Sequence, residues 1–217
     1  MRRQFFRLAR VLSRSRLTGW LIGTAFEHLA WMIPINRISE SGSLLVFPHP
    51  APSFRNHILL VPKRRLATLN DLLDPACGGL LSELIQAAKG CLESDEWKFW
   101  SLGVNAGAYQ DVMQVHFHLY AERVFFEREP CNSSSGQIEG GLRRRSGSVR
   151  EIHYVATAES SADAGEVLRG ALEQFLETGP PQDGGFTVFI DWQDQKESLD
   201  FHIVSGPTVR DTSQGSA

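Results

Sequence analysis

The stretch Gln114-Val-His116-Phe-His118-Leu-Tyr120 alternates polar with apolar side chains. Because successive side chains of a β-strand point to opposite faces, this alternation predicts a strand at 112–120 with Gln114, His116 and His118 on one face. The apolar residues between them then face the core. Two imidazoles and an amide held in a row on a rigid element form a preorganised polar site.

Paired histidines of this kind suit a reaction at phosphorus. A neutral imidazole can attack phosphorus, and a second imidazole, protonated, can stabilise the negative charge that develops. Histidine suits both roles because its ordinary pKa lies near neutrality. Two alternatives stand beside this interpretation. In one, the histidines are ordinary surface side chains; in the other, His116 and His118 bind zinc together with His57 or Glu122.

Hydrophobic patterning predicts two halves in which strands and helices follow a similar order. The first half has strands at 43–47, 57–61, 99–104 and 112–120 and a helix at 79–93. The second half has strands at 152–156, 186–190 and 199–204 and a helix at 167–175. Phe201-His202-Ile203 matches Phe117-His118-Leu119, and on this register Asp200 stands where His116 stands. We therefore predict an internal duplication with one working site.

Length, composition and charge limit the classes of function. The chain has 217 residues, of which 42% are hydrophobic, enough for one ordinary domain or two small ones. Its 22 basic and 25 acidic residues give a net charge of −3, so we expect no sequence-specific nucleic-acid partner. The three cysteines, Cys77, Cys91 and Cys131, show no metal-site spacing and no even pairing. We therefore predict a reducing, cytoplasmic location.

The N-terminal segment differs from the rest of the chain. Six arginines precede Glu27, the first acidic residue, whereas the remainder carries 16 basic and 25 acidic side chains. On a helical wheel four of these arginines share one stripe opposite apolar residues, which is typical of a helix lying on an anionic membrane surface. Residues 17–35 are mostly apolar, but a central acid costs a membrane span about 2.5–3.5 kcal/mol. We expect residues 1–28 to make peripheral membrane contact or to pack on the protein's own domain.

Together with the sequence before it, the histidine strand resembles the histidine triad (HIT) superfamily, whose signature is His-φ-His-φ-His-φ-φ. The resemblance covers about residues 29–125. Its other parts are Phe47 followed by a proline-rich turn, the apolar strand His57-Ile-Leu-Leu-Val-Pro-Lys63, and a loop from Asn105 to Gln110. The occurrence of these motifs together, in this order, is much more specific than an HxH pair alone.

The resemblance implies an α+β fold, in which helices flank an antiparallel sheet in a HIT-like, tandem and pseudo-dimeric arrangement. The expected divisions are an N-terminal arm at 1–28, a HIT-like domain at 29–126, a flexible linker at 127–148, a degenerate second half at 149–208 and a disordered tail at 209–217. The family usually forms its sheet as a two-fold homodimer. The chain is therefore expected to be a monomer that makes this pair internally, or a homodimer.

The resemblance also implies an enzyme, a nucleotide hydrolase or nucleotidyl transferase that acts on a nucleotide or a dinucleoside polyphosphate. It would attack phosphorus through His116, pass through a covalent nucleotidyl-histidine intermediate, and need no cofactor or metal ion. His118 and His57 would complete the catalytic set. The implied nucleotide- and phosphate-binding residues are Phe47, His49, Asn105, Gln110 and Gln114.

Three positions depart from the family's pattern. Gln114 takes the first position of the triad and cannot titrate. His49 stands about where the family commonly has an aspartate that grips the ribose, and Asp111 stands near the place of a serine that assists the leaving group. These departures leave an alternative function, a catalytically weak or inactive nucleotide-binding module or adaptor at a membrane surface.

Overall fold

A computed structural model describes residues 35–50, 52, 56–72, 74–92, 100–110, 112–120, 139–144, 150–160, 162–177, 184–192 and 198–204, together with residue 24. The predictions for the rest of the arm at 1–28, for 127–138 and 145–148 of the linker, and for the tail at 209–217 lie outside the described residues, as do Asp111 and Glu122. Within the described part of the chain, no helix has the length and apolar character needed to cross a membrane.

The described strands form one nine-stranded sheet in which every neighbouring pair is antiparallel. The strands are β1 (Ser39–Glu40), β2 (Leu44–Pro48), β3 (Ile58–Pro62), β4 (Ser101–Gly107), β5 (Phe117–Tyr120), β6 (Glu139–Arg144), β7 (Arg150–Ala158), β8 (Gly185–Trp192) and β9 (Leu199–Val204). The helices are α1 (Leu69–Leu72), α2 (Leu80–Cys91) and α3 (Ala164–Glu177), with a 3₁₀ turn at Pro75–Cys77. The predicted α+β fold, an antiparallel sheet with flanking helices, is confirmed.

One apolar core joins the helices to the sheet, and it contains residues from both halves of the chain. The buried residues of α2 and α3 recur three or four positions apart, as an amphipathic helix requires. Phe117 of β5, Phe201 of β9 and Phe175 of α3 are each fully buried in this core. Burying a side chain of that size contributes about 1.5–3 kcal/mol to stability. Because Phe117 faces this core, the alternate residues His116 and His118 belong to the opposite face of the sheet.

The strand order is β1-β2-β3-β5-β4-β8-β9-β7-β6, so the two halves meet at the pairing of β4 with β8. Strands β8, β9 and β7 repeat the order of β4, β5 and β3 on the far side of this junction. Gly103 pairs with Phe189 at the junction, Gly103 also pairs with His118, and Phe189 also pairs with His202. His202 therefore has the same register position in the second half of the sheet that His118 has in the first half.

Two segments differ from the expectation. The alternation predicted a strand at 112–120, but β5 begins only at Phe117. The backbone before Phe117 leaves the sheet, and the Val115 amide donates to the Leu66 carbonyl at 2.7 Å. Strand β6 lies inside the stretch expected to be a linker, and there that expectation does not hold. Among the described strands it lies at the edge of the sheet and pairs only with β7. Its glycine-rich sequence has few apolar residues and so gives little sign of such pairing.

A glycine at the junction is expected to be essential for stability. Gly107 has φ +59°, and a Cβ there would lie 1.9 Å from the Gly184 carbonyl oxygen. We expect Gly107→Ala to lower the free energy of unfolding by about 2 kcal/mol or more in urea titrations, from backbone strain and overpacking. Gly90 is the matched control: it lies in α2 with open space around it, so Gly90→Ala should raise stability by about 0.5–1 kcal/mol. Equal behaviour of the two variants would contradict this reading of the junction.

Candidate active site

Strands β2, β3 and β5 bring three histidines together on the face of the sheet opposite the helices. His49 directly follows β2 and His57 directly precedes β3, and the His49 amide donates to the His57 carbonyl at 2.7 Å, which continues the pairing of these strands. His118 lies in β5, opposite Leu59 of β3. The sequence distance of 61 residues between His57 and His118 is thus closed by ordinary strand pairing.

The imidazoles form a compact cluster. Nε2 of His57 lies 2.9 Å from Nδ1 of His118, which is a hydrogen bond between the two rings. The ring of His49 stacks on that of His57 with a centroid distance of 4.2 Å and an interplanar angle of 8°. The ring of His116 stands against that of His118, with centroids 4.9 Å apart and planes at 64°. His57 thus lies beside His118, and the catalytic roles expected of these histidines stay predictions.

The tautomer of His116 follows from one hydrogen bond. Its Nδ1 lies 2.8 Å from the backbone carbonyl oxygen of Gln114. A carbonyl oxygen can only accept, so Nδ1 carries the proton and, in the neutral ring, the lone pair is at Nε2. The same bond fixes the orientation of the ring. His116 thus has the electronic form of a nucleophile that attacks through Nε2.

Burial keeps two of the histidines neutral. Desolvation, followed by the charges of His49 and His116, lowers the pKa of His57 to about 3. Desolvation is also the main reason that the pKa of His118 lies well below its usual range, with smaller contributions from His116, His57 and His49. The sequence led us to expect a protonated second imidazole, whereas burial favours the neutral form of His118. A bound phosphate would raise its pKa, because an opposite charge favours the protonated form.

Gln114 is buried, with 1% of its surface exposed, and its amide is engaged by the protein. Its Nε2 donates to the carbonyls of Pro62 and Arg64, each at 3.0 Å, and its Oε1 accepts from the Leu66 amide at 3.3 Å. These bonds tie the end of β3 to the backbone that holds His116. Contact between this amide and a phosphate would require some of them to break.

Asn105 and Gln110, expected at the two ends of one loop, have different surroundings, because β4 continues to Gly107 and includes Asn105. Gln110 donates from Nε2 to the carbonyls of Ala67 and Val112, each at 2.7 Å, so its amide nitrogen closes the loop. Asn105 lies in β4, partly buried, and its Oδ1 accepts a hydrogen bond of 3.0 Å from Oγ1 of Thr187. Thr187 belongs to β8 in the second half of the chain. Sequence reasoning did not identify it, because nothing in the chain before residue 126 indicates which strand will lie beside β4.

Phe47 lies in a small apolar cluster on the histidine face. It is buried with Leu45, Leu59 and Val61, and Ile35 packs against the group. Leu59 pairs with both Phe47 and His118, so this apolar cluster adjoins the imidazoles. The nucleotide-binding role that the family resemblance implies for Phe47 stays a prediction.

The corresponding face of the second half carries different groups. Asp200, which stands in register where His116 stands, accepts a hydrogen bond of 2.7 Å from Oγ1 of Thr157. A carboxylate bound in this way offers no imidazole nucleophile. The described part of this half therefore matches the prediction of one working site per chain, which stays a prediction.

Comparisons with known proteins agree with the geometry. Residues 32–124 match the family model of the HIT domain. The adenosine 5'-monophosphoramidase of Schizosaccharomyces pombe is 29% identical over 89 residues, a match that covers 40% of this chain and 64% of the relative, which is less than two thirds of its length.

Two solved structures are also similar. A HIT family hydrolase from Legionella pneumophila is 26% identical over 47% of this chain and 94% of its own, with a TM-score of 0.41. A DUF4931 family protein from Bacillus cereus shares the fold over 83% of this chain and 89% of its own, with 13% identity and a TM-score of 0.53. The resemblance of residues 32–124 to the histidine triad superfamily is thus confirmed.

Proposed function

We propose that the protein is a nucleotide hydrolase or nucleotidyl transferase that attacks a nucleoside phosphate through Nε2 of His116. The observation that supports this most strongly is the hydrogen bond from Nδ1 of His116 to the Gln114 carbonyl, since it holds the ring in the tautomer that a nucleophile needs. The cluster of further imidazoles beside it provides donors for the oxygens of a phosphate.

The reaction proceeds in two steps. Nε2 of His116 forms a bond to phosphorus, and the leaving group departs with the electron pair of its own bond and takes up a proton from solvent. The resulting nucleotidyl-imidazolium is stabilised by its Nδ1–H bond to the Gln114 carbonyl. Water then attacks phosphorus, the nitrogen–phosphorus bond breaks, one proton returns to solvent, and His116 is neutral again. In a transferase a second acceptor replaces the water.

His118 and His57 support these steps from the side of the phosphate. A neutral His118 faces no like-charge repulsion from the imidazolium that forms on His116, and the negative phosphate favours its protonation during the reaction. The hydrogen bond to His57 holds the ring of His118 in place. His57 is thus a positioning residue in this proposal.

The first substrate to test is an adenosine 5'-phosphoramidate, the class named in the activity of the Schizosaccharomyces pombe relative. A dinucleoside polyphosphate is the second, because the same attack on an α-phosphorus would cleave it. With a substrate labelled in the nucleotide, rapid quenching should trap an acid-labile adduct on His116 during the first turnover. Tight nucleotide binding without adduct or product would favour the alternative, a nucleotide-binding module. A protein that neither binds nor reacts would contradict both.

We infer that the second half of the chain replaces the second subunit of a homodimer. The mirrored strand order around the β4–β8 junction supports this, as does the hydrogen bond from Thr187 to Asn105. This bond engages Oδ1 of Asn105 and holds its amide in one orientation. The second half then contributes to the site without holding a nucleophile.

Thr187 provides a test of that contribution. Valine has nearly the same shape but no hydroxyl, so Thr187→Val should lower kcat about tenfold while KM changes little, which is about the free energy of one hydrogen bond made in the transition state. Thr187→Ser keeps the hydroxyl and should stay within about threefold of the wild type. Steady-state kinetics measure kcat and KM, on variants whose melting temperatures match that of the wild type. Full kcat in Thr187→Val would remove the positioning role.

A further inference from the structure

Tyr109 lies in the short segment between β4 and His116, and its ring packs on the second half of the chain. A Cβ on Gly185 would lie between 2.5 and 2.7 Å from the ring carbons Cγ, Cδ1 and Cε1. The ring therefore fills the space that a side chain at position 185 would need. We propose that Tyr109 is a positioning residue for His116 and that Gly185 provides the surface on which its ring is held. The kinetic consequences rest on the proposed function, whereas the packing does not.

The backbone around Tyr109 is fixed at the same point of the second half. Gly107, at the end of β4, pairs with Gly185, the first residue of β8. The Ala108 amide donates to the Gly184 carbonyl at 3.2 Å. Three consecutive residues of the first half thus contact two consecutive glycines of the second half. The position of this segment therefore depends on the start of β8.

Hydrogen bonds connect this segment to His116. Nε2 of Gln110, the residue after Tyr109, donates to the Val112 carbonyl at 2.7 Å. The same carbonyl accepts a hydrogen bond of 2.8 Å from the Gln114 amide. The Gln114 carbonyl in turn accepts the Nδ1–H of His116 at 2.8 Å. A displacement of Tyr109 therefore reaches the hydrogen bond that orients the ring of His116 through contiguous contacts.

The ring of Tyr109, and not its hydroxyl, makes the contact that matters in this proposal. Tyr109 is partly buried, and the atoms that approach Gly185 are ring carbons. An aromatic side chain is rigid and has two rotatable bonds, so holding it in place costs little conformational entropy. Glycine suits the opposite side of the contact because it lets another group approach the strand closely.

A double-mutant cycle tests the proposal with an adenosine 5'-phosphoramidate as substrate. Gly185 has no positive φ, so the ring of Tyr109 is the main obstacle to alanine there. Gly185→Ala should displace the ring and lower kcat about tenfold, while KM changes less than about threefold. Tyr109→Ala should lower kcat by a similar factor. In the Tyr109→Ala background, Gly185→Ala should then cost less than about threefold, because the obstacle is gone. Tyr109→Phe keeps the ring and should stay within about threefold of the wild type.

A second readout does not depend on turnover. The Nδ1–H proton of His116, held in its hydrogen bond to the Gln114 carbonyl, should give a downfield proton NMR signal that is absent from His116→Asn. Gly185→Ala should shift or broaden this signal, and Tyr109→Phe should preserve it. Gly165→Ala is the matched control: Gly165 lies in α3 with open space around it, so both kcat and the signal should stay as in the wild type.

The outcomes separate this proposal from the proposed function. Independent, additive losses in the double variant would overturn the positioning role, as would a wild-type His116 signal in Gly185→Ala. If Gly185→Ala does not fold, the comparison of Tyr109→Ala with Tyr109→Phe decides, and equal kcat and equal signals in these two variants would overturn the role. A wild type that forms no adduct and turns over no nucleotide contradicts the proposed function alone, and the NMR signal then decides the role of Tyr109.

Discussion

The variant His116→Asn is expected to lower kcat/KM by at least about 10³-fold, equivalent to about 4 kcal/mol of transition-state stabilisation. Asparagine can place an amide N–H near the position of Nδ1, so the hydrogen bond to the Gln114 carbonyl can persist while the attacking nitrogen is lost. The substitution therefore removes the nucleophilic nitrogen and can keep the hydrogen bond that orients residue 116.

Two measurements make this result decisive. The variant should unfold at nearly the wild-type temperature, and it should form no adduct in the quenching experiment. His202→Asn is a matched control, since His202 occupies the register of His118 in the second half and the proposal gives it no catalytic role. Retention of most activity by His116→Asn, or equal losses in both variants, would contradict attack through His116.

The second large effect is on stability as a function of pH. The pKa of His57 is about 3 in the folded chain, against about 6.5 for an exposed histidine. Between these values the unfolded chain binds the proton and the folded chain does not, so stability is present above pH 6.5 and is lost as the pH falls. Two pH units at about 1.36 kcal/mol each give a loss of about 2–3 kcal/mol between pH 6.5 and 4.5.

The measurement is the free energy of unfolding in urea at intervals across this range. His118 shifts in the same direction and should add to the slope. Carboxylates contribute as well, so the comparison is with His57→Gln, which should flatten the slope by about the stated amount whatever its effect on stability at pH 7. Identical slopes in wild type and His57→Gln would show that His57 is not held neutral by burial.

Much of the site could be predicted from the sequence because its parts are local. The alternation from Phe117 to Tyr120 identifies the strand that presents His118, and an apolar run after His57 identifies β3. The order of the motifs along the chain, which resembles that of the family, then predicts that His57 lies near His116 and His118. Antiparallel pairing produces that approach without further information, since Leu59 and His118 are cross-strand neighbours.

What the sequence could not reveal depends on non-local contacts. The alternation continues back to Gln114, yet that residue leaves the strand because its amide satisfies three backbone groups of another segment. Neutrality of His118 comes from burial, which a pattern of residue types does not measure. His49 was noted as a departure at a ribose position, and its stacking on His57 appears only when β2 and β3 are paired.

The junction of β4 with β8 has a consequence for dilution. The strand that lies beside Asn105 is covalently part of the same polypeptide, so its local concentration does not depend on how much protein is present. A fragment of the chain that ends near residue 126 would instead leave β4 as an exposed edge strand. Its unpaired backbone N–H and C=O groups could then pair with another molecule. Such a fragment would gain or lose its neighbour with concentration, whereas the tethered chain keeps the neighbour at any dilution.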